Sequence, residues 1–322
     1  MILSGYRTYQ KKSQTEIMHK GFQYNMATGR ATLPAAVIVS LALWAVKFYD
    51  YYQIAGMAVC FISTYLLVGL NSAFGIVTTK SYLTPAMFAF MYTAFSFTAD
   101  FHSITSVIPL LFIGSIFFII RGYDSINPPA DVFNSFLSAG IGCMIDRHII
   151  FAVPVLFICM TQLKSISVRG FLSAILGFGV PFWIMYGYFI LRGKTEELSG
   201  MASDFFSFGL PDFSSMNIIT WICIAVVFLI FLSSAILARK ISLEDKVKNR
   251  SVIKSMNSTG TYLFAVMILV PQTGVTLLPV AMLVTSIIFG YVMTQLYNRF
   301  TMIQMIVSLL MVAGIAAYGI IL

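Results

Sequence analysis

Long apolar runs almost free of charge, separated by short polar stretches, divide most of this chain. They cover residues 31–47, 54–78, 82–98, 104–120, 132–145, 149–162, 170–191, 217–238, 258–271, 276–296 and 301–321. Within a run the apolar side chains are not confined to one helical face, and they do not alternate as on a half-buried strand. An α-helix needs roughly 17–25 such residues to cross about 30 Å of hydrocarbon. Backbone N–H and C=O groups find no water at that depth, so a spanning segment must satisfy its own hydrogen bonds, as a helix does. The runs are too long and too uniformly apolar for barrel strands. The pattern predicts an all-α, polytopic transmembrane helical bundle of about 11 spans.

Two runs are short. Segments 132–145 and 149–162 hold about 14 residues each, roughly 21 Å of helix at 1.5 Å per residue. They form either two short tilted spans or a re-entrant hairpin buried among other helices, which would leave about nine spans with the same parity. Pro34 and Pro85 fall in first turns, where a missing N–H is tolerated. Pro181, behind Gly177 and Gly179, lies mid-span where a kink is expected. In the turn-like stretch 123–131, Pro128 and Pro129 are expected to hold off helix until about Asp131. Neither a repeat nor a long linker interrupts the pattern. It reads as one transmembrane domain, 31–322, behind a polar and basic segment, 1–30, that lacks the apolar core of a cleavable signal peptide.

Composition agrees. Of the 322 residues 59% are hydrophobic and 10% charged, against about 25% charged in soluble domains. The distribution of charge adds an orientation. With the N-terminus cytoplasmic (N-in), the outer segments hold only Lys47, Arg147, Arg192 and Lys194 of the 20 basic residues. The opposite threading would reverse that bias, so N-in is expected. The net charge of +8 then reflects topology rather than nucleic-acid binding. The basic stretch 239–257 reads as a cytoplasmic loop suited to anionic lipid headgroups.

Mid-span ionisable residues are nearly absent, which argues against an ion-coupled transporter but not against a lipid flippase. The titratable residues that stand out lie in consecutive short outer loops: Asp50 among Tyr49, Tyr51 and Tyr52, then Asp100 and His102, then Asp146, Arg147 and His148. Carboxylates and histidines brought together there would bind a divalent cation, or supply a general base and hold a phosphate. Equally, each ends or caps a helix at the interface, with Asp146 placed to cap the next one. The four cysteines (Cys60, Cys143, Cys159, Cys223) have no metal-ligand spacing. Three histidines, one of them (His19) on the cytoplasmic side, cannot build a multi-histidine iron centre.

The passage from Phe133 through Gly140, Gly142 and Cys143 to Pro154 is a small-residue helix, a charged tip and an apolar helix with proline. It resembles the corresponding part of GT-C glycosyltransferases, and the order of spans from about 31 to 163 is similar to their N-terminal module. That resemblance implies a GT-C-like arrangement and a polyprenyl-phosphate-linked sugar as substrate. It also implies a catalytic base just after the first span, where Asp50 stands, with Asp100, His102, Asp146, Arg147 and His148 as substrate or phosphate ligands. The chain departs from the family in its short first outer loop and its single carboxylate there. Over nearly its whole length it looks more like an uncharacterised family of Bacteroidota polytopic proteins, which implies the bacterial cytoplasmic (inner) membrane.

Two functional classes follow: a transferase working on a lipid-linked sugar at the outer face, or a non-catalytic scaffold or lipid-handling, flippase-type subunit of envelope assembly. The orientation can be tested directly. Reporter fusions after Lys246 and after Glu197 should report opposite compartments, cytoplasmic for the first, and a shared compartment would refute the threading.

Overall fold

The computed structural model describes residues 21, 23–46, 51–75, 81–96, 106–123, 128–193, 213 and 216–321. Among them every regular element is helical. In chain order these are α1 (Thr32–Val46), α2 (Tyr51–Phe74), α3 (Leu83–Ser96), α4 (Ile108–Arg121), α5 (Pro128–Ile145), α6 (Val153–Gln162), α7 (Val168–Leu191), α8 (Ile218–Ile241), α9 (Val247–Leu269), α10 (Gly274–Gln295) and α11 (Arg299–Ile321). One 3-10 turn, Arg147–Ala152, leads into α6, and another, Pro271–Thr273, into α10. Five helical stretches are long and apolar enough to cross a membrane: Ile54–Phe74, Val168–Leu191, Ile218–Ile241, Pro271–Gln295 and Arg299–Ile321. The apolar helices at 32–46, 108–121 and 147–162 are shorter.

The bundle is built around α10. Its spanning window is 94% buried, against 17% for α7 at the periphery. Helices α3, α4, α8, α9 and α11 pack around it. Such packing needs small residues where backbones meet, because lipid is as apolar as leucine and bare greasiness does not drive helices together. A Cβ on Gly290 of α10 would overlap the side chain of Thr84 on α3. Between α5 and α7 the contact is reciprocal. A Cβ on Gly140 would lie 2.7 Å from the Phe178 carbonyl oxygen, and one on Gly177 would overlap the Phe133 carbonyl. Pro181 sits inside α7 and packs against Gly140.

Hydrogen bonds between helices add specificity. Ser115 and Ser135 each donate to the other's carbonyl, joining α4 to α5. Gln162 donates to Ser258, and Gln304 to Ser233 and Ser234, at 2.7 and 2.9 Å. The Trp44 indole donates to Thr93, tying α1 to α3. Across one end of the bundle, Gln23 donates to the carbonyls of Met293 and Leu296, Asn249 to that of Gly75, and Tyr291 to Asp245. This end gathers Arg30, Arg121, Lys164, Arg239, Lys240, Lys246, Lys248 and Arg299, whereas Arg147 and Arg192 lie at the other.

Three local expectations change. Helix α5 starts at Pro128 rather than near Asp131, because prolines in a first turn give up only N–H groups that have no helical partner. Helix α9 starts at Val247, so most of the anticipated 239–257 loop is helical. Its charges hid this: Arg250 and Lys254 lie on the exposed side, while Val252, Ile253 and Met256 are buried at helical spacing. Of the two short runs expected at 132–145 and 149–162, the first is part of an 18-residue α5 and the second divides into a 3-10 turn and a ten-residue α6.

The α5–α7 contact makes a prediction about stability. Gly177→Ala should destabilise the protein by about 1–3 kcal/mol, since backbone on the facing helix cannot move aside cheaply. Gly187→Ala, where a Cβ meets nothing within 4 Å, should stay within about 0.5 kcal/mol. Reversible unfolding in mixed micelles measures both.

Candidate functional site

Of the residues singled out for chemistry, Asp50, Asp100 and His102 lie outside the described residues. Asp146, Arg147 and His148 lie inside them, at the break between α5 and α6 and at the end of the bundle away from the basic cluster. Asp146 leaves the helical conformation, with φ −142° and ψ 120°, and becomes the N-cap of the 3-10 turn. Its Oδ1 accepts from the His148 backbone N–H at 2.9 Å and from the imidazole Nδ1 at 2.8 Å. Its Oδ2 accepts from the Thr276 hydroxyl in the first turn of α10. Burial pushes the Asp146 carboxyl up. Hydrogen bonds from the His148 ring, from Thr276 and from the His148 N–H, together with the imidazole's charge, outweigh that and hold it below its ordinary value.

This arrangement redistributes the roles. Both oxygens of Asp146 are engaged, so it is placed to orient rather than to ligate a cation. Asp146 holds the His148 ring through Nδ1, which leaves Nε2 as the ring nitrogen it does not engage. Arg147 is half-buried beside them. An interior void bordered by Leu111, Gly142, Ile149 and Leu277 amounts to about 10 Å³, at most room for one water, and none of Asp146, Arg147 and His148 lines it. Among the described residues no group of three His, Cys, Asp or Glu side chains is placed to hold a metal ion.

A larger opening lies elsewhere. Helices α1, α3, α10 and α11 enclose a groove of about 230 Å³ in the half of the bundle nearest the basic end. Thr32, Ala36 and Val39 form one wall, Leu83 and Met87 the floor, and Phe289 and Leu309 the opposite side. The lining is apolar but for Thr32, whose hydroxyl donates to the Met26 carbonyl. Ala35 and Val39 are exposed, so the groove opens sideways at the bundle surface rather than into a central chamber. An apolar cavity of about 150 Å³ already holds a benzene-sized molecule and stays dry. The sequence reading missed this site, because nothing in a run of Ala, Val, Met and Phe distinguishes a groove from a packed core until the helix neighbours are known.

At the basic end, Arg121 pairs with the buried Asp131 at 3.1 Å, and Lys248 lies over the Phe74 ring. Arg239, Lys240, Lys246, Arg250 and Lys254 are exposed. No family model matches the chain, and no curated protein or solved structure is significantly similar to it.

The cap supplies a test by double-mutant cycle. Asp146→Ala should cost about 1–2 kcal/mol and Thr276→Val about 1 kcal/mol, and the double variant should cost less than their sum because both remove one shared bond. With its folded pKa depressed, the contribution of Asp146 is fully present above the usual aspartate range. It is lost as pH falls through the lowered value. Unfolding of the wild type and of Asp146→Ala should therefore converge in acid.

Proposed function

We propose that the protein is a non-catalytic, lipid-handling integral membrane protein that binds a hydrocarbon chain in the groove between α1, α3, α10 and α11. The observation that carries this reading is the groove itself: about 230 Å³, open at the bundle surface and lined without charge. A chain entering it from the bilayer gains nothing from the hydrophobic effect, since it leaves one apolar medium for another. Affinity then rests on close packing and on whatever holds the headgroup. We place the protein in a bacterial cytoplasmic membrane, N-in, with the exposed cations of 239–257 against anionic headgroups.

A second reading, the GT-C-like transferase acting on a polyprenyl-phosphate sugar, is favoured by one observation. Asp146 holds the His148 ring so that Nε2 is available as a base, an orienting pair of the kind used in nucleophile activation. On that reading His148 joins Asp50 as a proton acceptor, with Asp100, His102 and Arg147 as phosphate ligands.

A phospholipid bearing a diazirine in its acyl chain, reconstituted with the protein in nanodiscs and photolysed, tests the first reading. Labelling should concentrate on peptides containing Val39 and Leu309, and Leu309→Trp should reduce it. Even labelling along the exposed face of α7 would refute it. If His148→Gln and Asp50→Asn instead each abolished complementation of a deletion strain while labelling persisted, the transferase reading would stand.

A further inference from the structure

The groove's surroundings point to a particular lipid. We infer that its occupant is one acyl chain of an anionic glycerophospholipid from the leaflet at the basic end of the bundle, its phosphate held between Arg30 and Arg299. This rests on the groove being a hydrocarbon site.

The depth of the groove sets the leaflet. Thr32 is the first residue of α1, Leu83 the first of α3, and Met305 lies in the second turn of α11. Every wall therefore begins at the basic end, and the groove stops near Val39 and Leu309, part of the way along the helices. A lipid reaching it comes from that side, with its headgroup level with the helix starts.

Charge complementarity sets the headgroup. Arg30 stands two residues before α1, and Arg299 is the first residue of α11. Both are exposed, and neither has an ion-pair partner among the described residues. Arg299 sits at a helix N-terminus, where the macrodipole disfavours a cation and favours an anion, while Arg30 lies between the end of the helical stretch 23–28 and the start of α1. The four helices around the groove, and residues 21–31 before them, contain no Asp or Glu. Arg30 stands two residues before the groove residue Thr32 and Arg299 six before Met305, at the end where the groove begins; of the described acids at that end, Asp131 is paired with Arg121 and Asp245 accepts from Tyr291, which leaves Glu244. Arginine's planar fork suits a phosphate oxygen pair.

The test uses the full chain in nanodiscs of equal dioleoyl phosphatidylglycerol and dioleoyl phosphatidylethanolamine, followed by extraction into detergent and mass spectrometry of the retained lipid. Wild type should retain phosphatidylglycerol in preference, and Arg30→Gln and Arg299→Gln should each lower that preference about fivefold, the factor for one basic residue near an anionic surface. Ala36→Phe, which fills the groove, should abolish retention of both lipids, with Leu309→Trp from the opposite wall as the alternative if Ala36→Phe does not fold. Arg192→Gln at the other end should change nothing. Equal retention of the two lipids, lost in Ala36→Phe, would overturn the anionic headgroup and leave the groove reading intact. A phosphatidylglycerol preference that survives both groove-filling variants would overturn the groove reading, leaving surface adsorption only.

Discussion

Inside a bilayer an apolar helix has little to gain by leaving lipid for the company of other apolar helices. Association must therefore come from contacts that lipid cannot match, namely backbones brought close over small residues and hydroxyls paired across helices. The protein shows both. Gly290 lets α3 approach α10 at Thr84, and Gly140 and Gly177 let α5 and α7 meet backbone to side. Ser115 and Ser135 close a two-way hydrogen bond between α4 and α5, and Cys159 on α6 meets Ser255 and Thr259 on α9. Once α10 is enclosed, the outer helices need only one good seam each, which is how α7 can be mostly exposed and still belong to the fold.

The same rule explains where the two candidate sites lie. Asp146 closes the break between α5 and α6 and reaches α10 through Thr276, so the cap fastens an irregular stretch to the most buried helix. The lipid groove lies where four helices fail to interlock completely, lined by Ala36 and Ala86 where larger side chains would have filled it. One site is a satisfied polar knot and the other an unfilled apolar space. Their chemistries have little in common, and so the lipid-handling and transferase readings do not depend on one another.

Much of the fold was legible because composition alone decides it: an uncharged apolar run long enough to be a membrane helix has few alternatives. Pro34 and Pro85 mark first turns in the structure as their positions indicate. The start of α9 was obscured, because Lys248, Arg250 and Lys254 lower the local hydropathy. The buried spacing of Val252, Met256 and Leu263 carried the helix signal instead. Asp146 was readable as a cap because capping is a matter of two or three residues. Its bond to Thr276 was not, since the partners are 130 positions apart. The groove was beyond reach for the same reason: its walls come from four helices whose adjacency no local pattern encodes.

Gln23 has a consequence for the order in which the chain is completed. Its side-chain amide donates to carbonyls at Met293 and Leu296, and its oxygen accepts from Thr301, partners 270, 273 and 278 residues away. A chain made from its N-terminus exposes Gln23 long before these partners, which exist only after α10 and the start of α11 have been synthesised. Until then the residue must remain hydrated or in the keeping of another protein. Helices α10 and α11 thus complete a ring with the segment around Gln23, and a nascent chain halted before α10 would carry an open, polar seam that cellular quality control can read as unfinished.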